Sequence, residues 1–323
     1  MLTPERVSPA LSELLSFEQT MPRALAHRQA VGEVFVTDSA KGAEGEYLVA
    51  VQLPRAHSLW FDRKIAFHDP FSTAEAARQG SFVVLHRYFG VPVGLPFSLL
   101  RWQFRVEDLE CYRDDEATPL QGVLRYRVDD KGKPGADLGD MTLYGELVID
   151  GRTAMTLSGD VVFFDRDDYK ALREFQLSRK PAAAAGAPRP KPLDPAQVGR
   201  TDPRNVVVGE PVEHRFPYVI DTTHPSYFDH AYDHVPGPFI VEGFRQAALV
   251  TATRAGRLAS PVAAVTGCAT TFRSFGEFGS VLEASARVCE RDEAGRVTVE
   301  LALHQDGKQL AEASVELSPY PAA

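Results

Sequence analysis

A short motif, Glu-x-x-Arg-Gln, occurs twice in the sequence. Its polar side chains stand at positions i, i+3 and i+4, which share one face of an α-helix. The two copies are Glu75, Arg78 and Gln79 and, further along the chain, Glu242, Arg245 and Gln246. Burying a charge is unfavourable unless it is paired or faces a wet pocket. The motif therefore indicates either a structural Glu–Arg pair that fixes helix register or a polar site on an otherwise apolar helix.

The segment before the second motif is rich in titratable side chains. It contains His224, Asp229, His230, Asp233 and His234. Because histidine titrates near neutral pH, a loop of this composition leading into a helix that carries a Glu suits general acid–base chemistry. The alternatives are histidines that only hydrogen-bond the loop, and a zinc site. We predict no metal and no cofactor, since no HxxxH pair lies on a predicted helix and no Cys is near.

The motif belongs to a longer internal repeat. The aligned pairs are, at a constant offset of 167 residues, His57 with His224, Phe61-Asp62 with Phe228-Asp229, and Glu75 with Glu242, and, at an offset of 168, Phe104-Arg105 with Phe272-Arg273. Such self-similarity predicts two diverged copies of one fold. Arg63 stands where the second copy has His230. We therefore expect the second copy to carry more of the chemistry.

Each copy contains one predicted helix followed by strand-like segments. The helices, 69–90 and 238–256, are apolar almost all round, which is typical of a buried helix. Asp69 and Pro70 suit a helix start, and Gly90 suits a stop. One buried helix with an antiparallel sheet gives the α+β class. The order is compatible with two fused hot-dog domains, each a curved antiparallel sheet wrapping a central helix, that form an intrachain pseudo-dimer.

A proline- and alanine-rich stretch divides the chain. Five prolines and four consecutive alanines lie between Lys180 and Arg200, and proline at this density favours extended, exposed backbone. We predict an N-terminal extension over 1–30, a first hot-dog domain over 31–179, a linker over 180–204 and a second hot-dog domain over 205–323.

Composition excludes several classes of function. The 323 residues are 44% hydrophobic and 24% charged, which excludes general disorder. A net charge of −9 disfavours nucleic-acid binding. No apolar run approaches the roughly 18 residues that span a bilayer, and the N-terminus lacks the features of a signal peptide. With three cysteines in no disulfide or metal pattern, we expect a protein of the reducing cytoplasm.

At HPSYFDHAYDHVPG and VEGFRQA the sequence resembles the A-factor biosynthesis (AfsA-like) family. The first copy agrees through VGEVFVTD, LPRAHS, HDPFSTAEAARQ and YFGVPVG. The resemblance is clearest over 32–104 and 206–254 and does not cover the extreme N-terminus or the linker. The segment FDRKIAF, from Phe61, is more charged than the family pattern, which bears on substrate fit in the first half.

The resemblance implies a double hot-dog acyltransferase. The implied reaction moves a β-ketoacyl group from an acyl thioester, on acyl carrier protein or CoA, to the hydroxyl of dihydroxyacetone phosphate. This is the first step toward γ-butyrolactone, butenolide or furan signalling molecules. The family positions that match are Glu75, Glu242 and Arg245, and Arg78 is the residue of the first copy equivalent to Arg245.

A mechanism can be written for these residues. Glu242 with His230 is the favoured pair to accept the hydroxyl proton, and Arg245, with Arg78 or Arg273, would hold the phosphate. A helix N-terminus, at Pro238 or Pro70, would stabilise the oxyanion. The catalytic candidates are Glu242, His230, Glu75, His234 and Asp229, and the substrate-binding candidates are Arg245, Arg78, Gln246, Gln79, His57, His224 and Arg273.

Two other functions stay open at this point. The first is a dehydratase or thioesterase on the same double hot-dog frame, which would need no phosphate-binding arginine. The second is a non-catalytic lactone-binding protein, although nothing in the sequence reads as a DNA-binding helix-turn-helix. Fold analogy alone does not choose among them.

Overall fold

The structure, a computed structural model, describes residues 14–62, 65–130, 140–180, 190–292 and 295–321. The first thirteen residues of the predicted extension, Arg63, and the 181–189 part of the predicted linker lie outside the described residues. The strands are β1 (Val36–Lys41), β2 (Tyr47–Leu53), β3 (Phe97–Val106), β4 (Leu120–Asp130), β5 (Asp140–Ile149), β6 (Arg152–Phe163), β7 (Arg215–Pro217), β8 (Ala263–Phe272), β9 (Glu283–Arg291), β10 (Val297–Gln305) and β11 (Lys308–Pro319). The α-helices are α1 (Pro70–Tyr88), α2 (Arg166–Ser178) and α3 (Gly237–Arg254).

All the strands described form one antiparallel sheet. Its order is β1-β2-β4-β5-β6-β3-β8-β11-β10-β9-β7. From the centre outward the order in one half, β3-β6-β5-β4-β2, repeats in the other as β8-β11-β10-β9-β7. The halves join where β3 pairs with β8, with Trp102 opposite Thr270 and Phe104 opposite Cys268. The predicted α+β class and the fused pair of hot-dog domains are therefore confirmed.

Helices α1 and α3 occupy equivalent positions in the two halves. Most residues of both are buried, and both contribute to one continuous hydrophobic core. Asp69 caps α1 by accepting a hydrogen bond from the Phe71 N–H at 3.0 Å. Pro236 precedes α3 and provides no side-chain cap. No helix in the described part of the chain has the length and apolar character that a membrane crossing requires.

Helix α2 is an element that the sequence analysis missed. It follows β6 and crosses to the other half, where Arg173 forms an ion pair with Glu277 at 2.7 Å and with Asp233 at 3.0 Å. Its polar, amphipathic sequence resembles a solvated connection, and thirteen residues give a weak helical signal. The helix is held by these ion pairs rather than by a buried apolar face.

Candidate functional site

Each central helix carries a cluster of charged side chains. The Glu75 cluster consists of Arg28, Glu75, Arg78 and Gln79, and the Glu242 cluster consists of Arg200, Glu242, Arg245 and Gln246. In both, the arginine at i+3 and the glutamine at i+4 of the sequence motif bond the same carboxylate. A second arginine reaches that carboxylate from a distant part of the chain. The repeat found in the sequence is thus repeated in side-chain geometry.

In the Glu75 cluster, the carboxylate receives bonds from three neighbours. Arg78 Nε and Nη2 donate to the two oxygens at 2.8 Å each. Gln79 Nε2 donates to Oε1 at 2.9 Å, and Arg28 Nη2 also bonds Oε1. Gln79 Nε2 also donates to the backbone carbonyl of Glu33, which lies just before β1, at 2.8 Å.

The Glu242 cluster repeats these contacts. Arg245 Nε and Nη2 donate to the carboxylate at 2.9 and 3.0 Å, Gln246 Nε2 at 2.6 Å and Arg200 Nη2 at 2.9 Å. Gln246 bonds the Asn205 carbonyl at 2.7 Å, as Gln79 bonds that of Glu33. The two clusters are therefore related as the two halves of the sheet are.

Both clusters also connect the halves. Arg28 donates to the Ser226 carbonyl at 3.0 Å and lies 3.6 Å from an Asp229 oxygen. Arg200 donates to the Leu59 carbonyl at 2.6 Å, and the neighbouring Thr201 N–H donates to Asp62 at 3.1 Å. Arg28 thus links Glu75 of α1 to a loop of the second half, and Arg200 links Glu242 of α3 to a loop of the first half.

Both central carboxylates are ionised at neutral pH. Burial alone would raise their pKa values, but the charges and hydrogen bonds of the adjacent arginines outweigh it and lower the pKa of Glu75 and of Glu242 to about 2. A carboxylate with a pKa this low is a weak base at pH 7. Glu242 bonds Arg200, Arg245 and Gln246, whereas His230 lies with the Glu75 cluster, so the pairing of His230 with Glu242 is not observed.

A cavity of about 860 Å³ opens beside the Glu75 cluster. Arg28 and Arg78 line it from the first half, and His230 and Tyr232 line it from the loop of the second half. The start of α3, at Gly237 and Pro238, forms another part of its wall. Its apolar lining comes from β3 and the segment before it, from α2, and from the end of β8 and the segment after it. The lining includes Leu95, Phe97, Leu99, Leu172, Phe272 and Phe275. This volume is in the range of small-molecule sites.

Two histidines of the cavity are bonded to adjacent aspartates. His230 Nδ1 lies 2.6 Å from Asp229, and His234 Nδ1 lies 2.6 Å from Asp233. Burial raises the pKa of Asp229, but hydrogen bonds from His230 and from the Gln29 N–H, with the charge of Arg28, outweigh this and lower it. The Asp229 carboxylate accepts a hydrogen bond from the Nδ1–H of His230, so in this imidazole tautomer the lone pair is on Nε2.

The region beside the Glu242 cluster is filled instead of open. Asp69 and Phe71 stand at the positions that Pro236 and Pro238 hold in the other half. The Phe71 ring centroid lies 6.0 Å from Arg245 Cζ. Burial lowers the pKa of the Arg245 guanidinium, but the charge of Glu242 and then that of Asp69 outweigh burial and raise the pKa. Arg245 has 2% of its side chain exposed, against 15% for Arg78.

The remaining predicted residues lie at other positions. His57 Nδ1 accepts from the Leu59 and Trp60 N–H groups at 3.2 Å, and His224 Nδ1 caps the equivalent loop. Arg273 lines the cavity and pairs with Glu312 at 2.6 Å near solvent. No group of three or more His, Cys, Asp or Glu among the described residues is arranged to hold a metal ion.

Sequence reasoning missed the distant arginines. Arg28 lies in the segment assigned to the N-terminal extension and Arg200 in the segment assigned to the linker. They stand 47 and 42 residues before their glutamates. Because these spacings differ by five residues, alignment at the offset of 167 does not superimpose them. An alignment that allowed a gap before His57 and His224 would have paired them.

Comparison with known proteins supports the fold and identifies the family. A 2-oxo-3-(phosphooxy)propyl 3-oxoalkanoate synthase of Streptomyces virginiae is 34% identical over 238 residues, 71% of this chain and 76% of that protein. The synthase of the same name from Streptomyces coelicolor is 30% identical over 92% of both chains. A solved structure described as an oleoyl thioesterase, from Lactobacillus plantarum, shares the fold with a TM-score of 0.53, 12% identity, and coverage of 88% of this chain and 100% of that one.

The family match extends over both halves. The family model for the A-factor biosynthesis hotdog domain matches residues 10–165 and 182–321. Each match contains one Glu-x-x-Arg-Gln helix, with Glu75 in the first and Glu242 in the second. The resemblance drawn from the motifs is therefore confirmed, and the chain belongs to the A-factor biosynthesis hotdog family.

Proposed function

We propose that the protein transfers a 3-oxoacyl group from an acyl thioester, on acyl carrier protein or CoA, to the hydroxyl of dihydroxyacetone phosphate. The product would be the ester named in the relatives' description, a 2-oxo-3-(phosphooxy)propyl 3-oxoalkanoate. The observation that carries the proposal is the difference between the clusters. Asp69 and Phe71 lie near the Glu242 cluster, whereas a cavity opens beside the Glu75 cluster.

The surroundings of Arg245 indicate that an anion belongs beside the equivalent Arg78. The charge of Asp69 acts on Arg245 in addition to that of Glu242, whereas the residue equivalent to Asp69 in the other half is Pro236, which has no carboxylate. The bonds to Glu75 use Nε and Nη2 of Arg78, so Nη1 is free of that carboxylate and can donate to a phosphate oxygen. A phosphate of the acceptor substrate supplies the missing anion beside Arg78.

His230 is the base in this proposal. Its Nδ1 is held by Asp229, so Nε2 takes the proton of the acceptor hydroxyl as that oxygen attacks the thioester carbon. The resulting imidazolium is stabilised by the Asp229 carboxylate. It then returns the proton to the sulfur as the carbon–sulfur bond breaks. One ester and one thiol are formed, and no acyl-enzyme is needed.

The start of α3 supplies donors for the oxyanion. The first backbone N–H groups of a helix have no partner within it. Here these are Gly237 and Phe239, because Pro238 has no N–H. The helix dipole adds positive potential at this end. The acyl chain occupies the apolar part of the cavity near Phe97, Leu99 and Phe272.

The test is mass spectrometry of products from a 3-oxoacyl thioester, with and without dihydroxyacetone phosphate. The wild type is expected to form the phosphorylated ester only when the phosphate is present. His230→Asn keeps an N–H for Asp229 but removes the base, and it should lower kcat/KM about 100-fold or more. His214→Asn, at an exposed histidine outside the cavity, is the matched control and should keep wild-type activity.

Three outcomes would overturn the proposal. Free acid formed at the same rate without the phosphate would indicate a thioesterase, and a dehydrated acyl product would indicate a dehydratase. Tight binding of a lactone with no turnover, in protein shown to be folded, would indicate a binding protein.

A further inference from the structure

His27 is a cavity residue with an unusual backbone conformation. It lines the cavity next to Arg28, and its φ is 52°, in the left-handed region. In the other half the residue before the equivalent arginine is Gly199, with φ 69°. A residue with a Cβ costs roughly 1–2 kcal/mol there relative to glycine. The first half thus has a histidine where the second half has glycine, the residue that this backbone conformation favours. A strained residue of this kind is typical of a functional position.

The imidazole of His27 is fixed from two sides. Its ring stacks on Phe82 with the centroids 4.0 Å apart, and the Phe97 ring lies edge-on at 5.3 Å. Its Nε2 lies 2.7 Å from Nε2 of His86. The other nitrogen of His86, Nδ1, lies 2.7 Å from the Val91 carbonyl. The ring is therefore held in one orientation, in which Nε2 is engaged by His86 and Nδ1 is the nitrogen left for another partner.

This chain of bonds decides where the protons are. A carbonyl only accepts, so His86 Nδ1 carries a proton and Nε2 of a neutral His86 accepts. His27 Nε2 must then donate, and Nδ1 of a neutral His27 bears a lone pair. Burial, together with the charges of nearby cationic groups such as Arg78 and Arg28, lowers the pKa of His27 to about 3. Burial also lowers the pKa of His86, so both rings are neutral at pH 7.

We propose that Nδ1 of His27 accepts a hydrogen bond from the hydroxyl of the acceptor substrate and selects for that hydroxyl. The inference rests on the proposed function. Dihydroxyacetone phosphate as the dianion has one hydrogen-bond donor, its hydroxyl, because its ketone and phosphate oxygens only accept. Arg78 and the α3 N-terminus are donors, so they match the phosphate and the carbonyl. His27 Nδ1 accepts from the hydroxyl when the substrate binds. Because the hydroxyl has a single proton, the O–H then turns from His27 to Nε2 of His230, which removes the proton as the oxygen attacks.

The test compares two phosphates by titration calorimetry. One is dihydroxyacetone phosphate and the other is 2-oxopropyl phosphate, in which a methyl replaces the hydroxymethyl group. One hydrogen bond gives a preference of about fivefold for the first compound in the wild type. His27→Gly removes this acceptor without strain, because glycine adopts this φ freely, and should lower the ratio toward one; the remaining preference comes from Nε2 of His230, which still accepts from the hydroxyl. His27→Asn, which tolerates positive φ and has an amide oxygen near the position of Nδ1, should restore part of the preference.

The outcomes separate this role from the proposed function. An unchanged ratio in folded His27→Gly, or weaker binding of both phosphates by the same factor, would overturn the role of His27 and leave the acyltransfer intact. A wild type that discriminates between the phosphates as predicted but forms no ester would contradict the proposed function alone. Failure of the wild type to bind either phosphate would overturn both.

Discussion

The Glu75 and Glu242 clusters have the same bonds but different surroundings. In each, two arginines and a glutamine bond a carboxylate whose pKa is about 2. Asp69 and Phe71, at the start of α1, lie near Arg245 of the buried Glu242 cluster. The Glu75 cluster lies beside a cavity of about 860 Å³ whose wall includes the start of α3. The difference arises on the opposite helix rather than in the cluster itself.

This comparison explains how one duplicated motif can serve two purposes. An Arg–Glu–Arg arrangement is a structural element when it is fully buried and paired. The same arrangement can present an arginine to a ligand when one face is left open. The cavity is lined by both halves, because Arg78 lies on α1 of the first half and His230 lies in the loop before α3 of the second half. Neither half would contain the whole candidate site alone.

The largest expected difference between the clusters is in folding stability. Arg245→Met leaves Glu242 buried with one of its two arginines removed, and should lower the free energy of unfolding by about 3–5 kcal/mol. Arg78→Met breaks the equivalent bond at a side chain that reaches the cavity, so its stability loss should be smaller. Its kcat/KM should instead fall about 100-fold, because a charged hydrogen bond to the phosphate is lost.

These variants are measured by urea unfolding and by activity per folded molecule. Arg105→Met, at an exposed arginine of β3 outside the cavity, is the control for a lost surface charge. Equal destabilisation of the Arg78 and Arg245 variants, with equal residual activity, would show that the two clusters do not differ in role.

Sequence alone predicts the repeat, the two buried helices and the shared motif, because each depends on local spacing. It does not predict which cluster is open. That depends on how Phe71 and Asp69 pack against Arg245 across the interface between halves, and a Phe or Asp at a helix start is compatible with many packings. It also does not predict Arg28 and Arg200, since their contacts are set by chain paths of different length. His27 has no sequence signal, because the role proposed for it depends on a left-handed φ and a contact with His86.

Acid should reveal what the clusters share and where they differ. The pKa of both glutamates is lowered from 4.5 to about 2, so their stabilisation is present above pH 4.5 and is lost as pH falls toward 2. The pKa of His27 is lowered from 6.5 to about 3, so the folded state resists its protonation and stability already falls between pH 6.5 and 3. The second half has Gly199 at the equivalent position, so it makes no such contribution to the pH dependence of stability.

Urea unfolding at several pH values tests this order. His27→Gly should reduce the dependence of stability on pH between 6.5 and 4.5 while leaving the steeper loss below pH 4.5. Glu242→Gln should instead reduce the loss below pH 4.5. His214→Asn, at an exposed histidine, controls for removing an imidazole from solvent. A pH dependence that is the same in His27→Gly and in the wild type would contradict the burial of a neutral His27.

A smaller effect is expected from making the open half resemble the filled one at a single residue. Pro236→Asp introduces at the start of α3 the carboxylate that Asp69 provides at the start of α1. The new side chain can accept from the Phe239 N–H, and such a cap stabilises by about 1 kcal/mol. Losing proline offsets this by a similar amount through the unfolded chain, so the free energy of unfolding should stay within about 1 kcal/mol of the wild type.

Activity should nevertheless fall, because the carboxylate would occupy the backbone donors assigned to the oxyanion and repel the phosphate beside Arg78. We expect a loss of about tenfold or more in kcat/KM and weaker binding of dihydroxyacetone phosphate. Pro236→Asn has a similar size and can cap the helix without the charge, so it separates repulsion from blocked donors. If Pro236→Asp bound dihydroxyacetone phosphate as tightly as the wild type, the position of Asp69 near Arg245 would not predict where the phosphate of the substrate binds. The phosphate would then have to be sought elsewhere in the cavity, nearer Arg166 and Arg273.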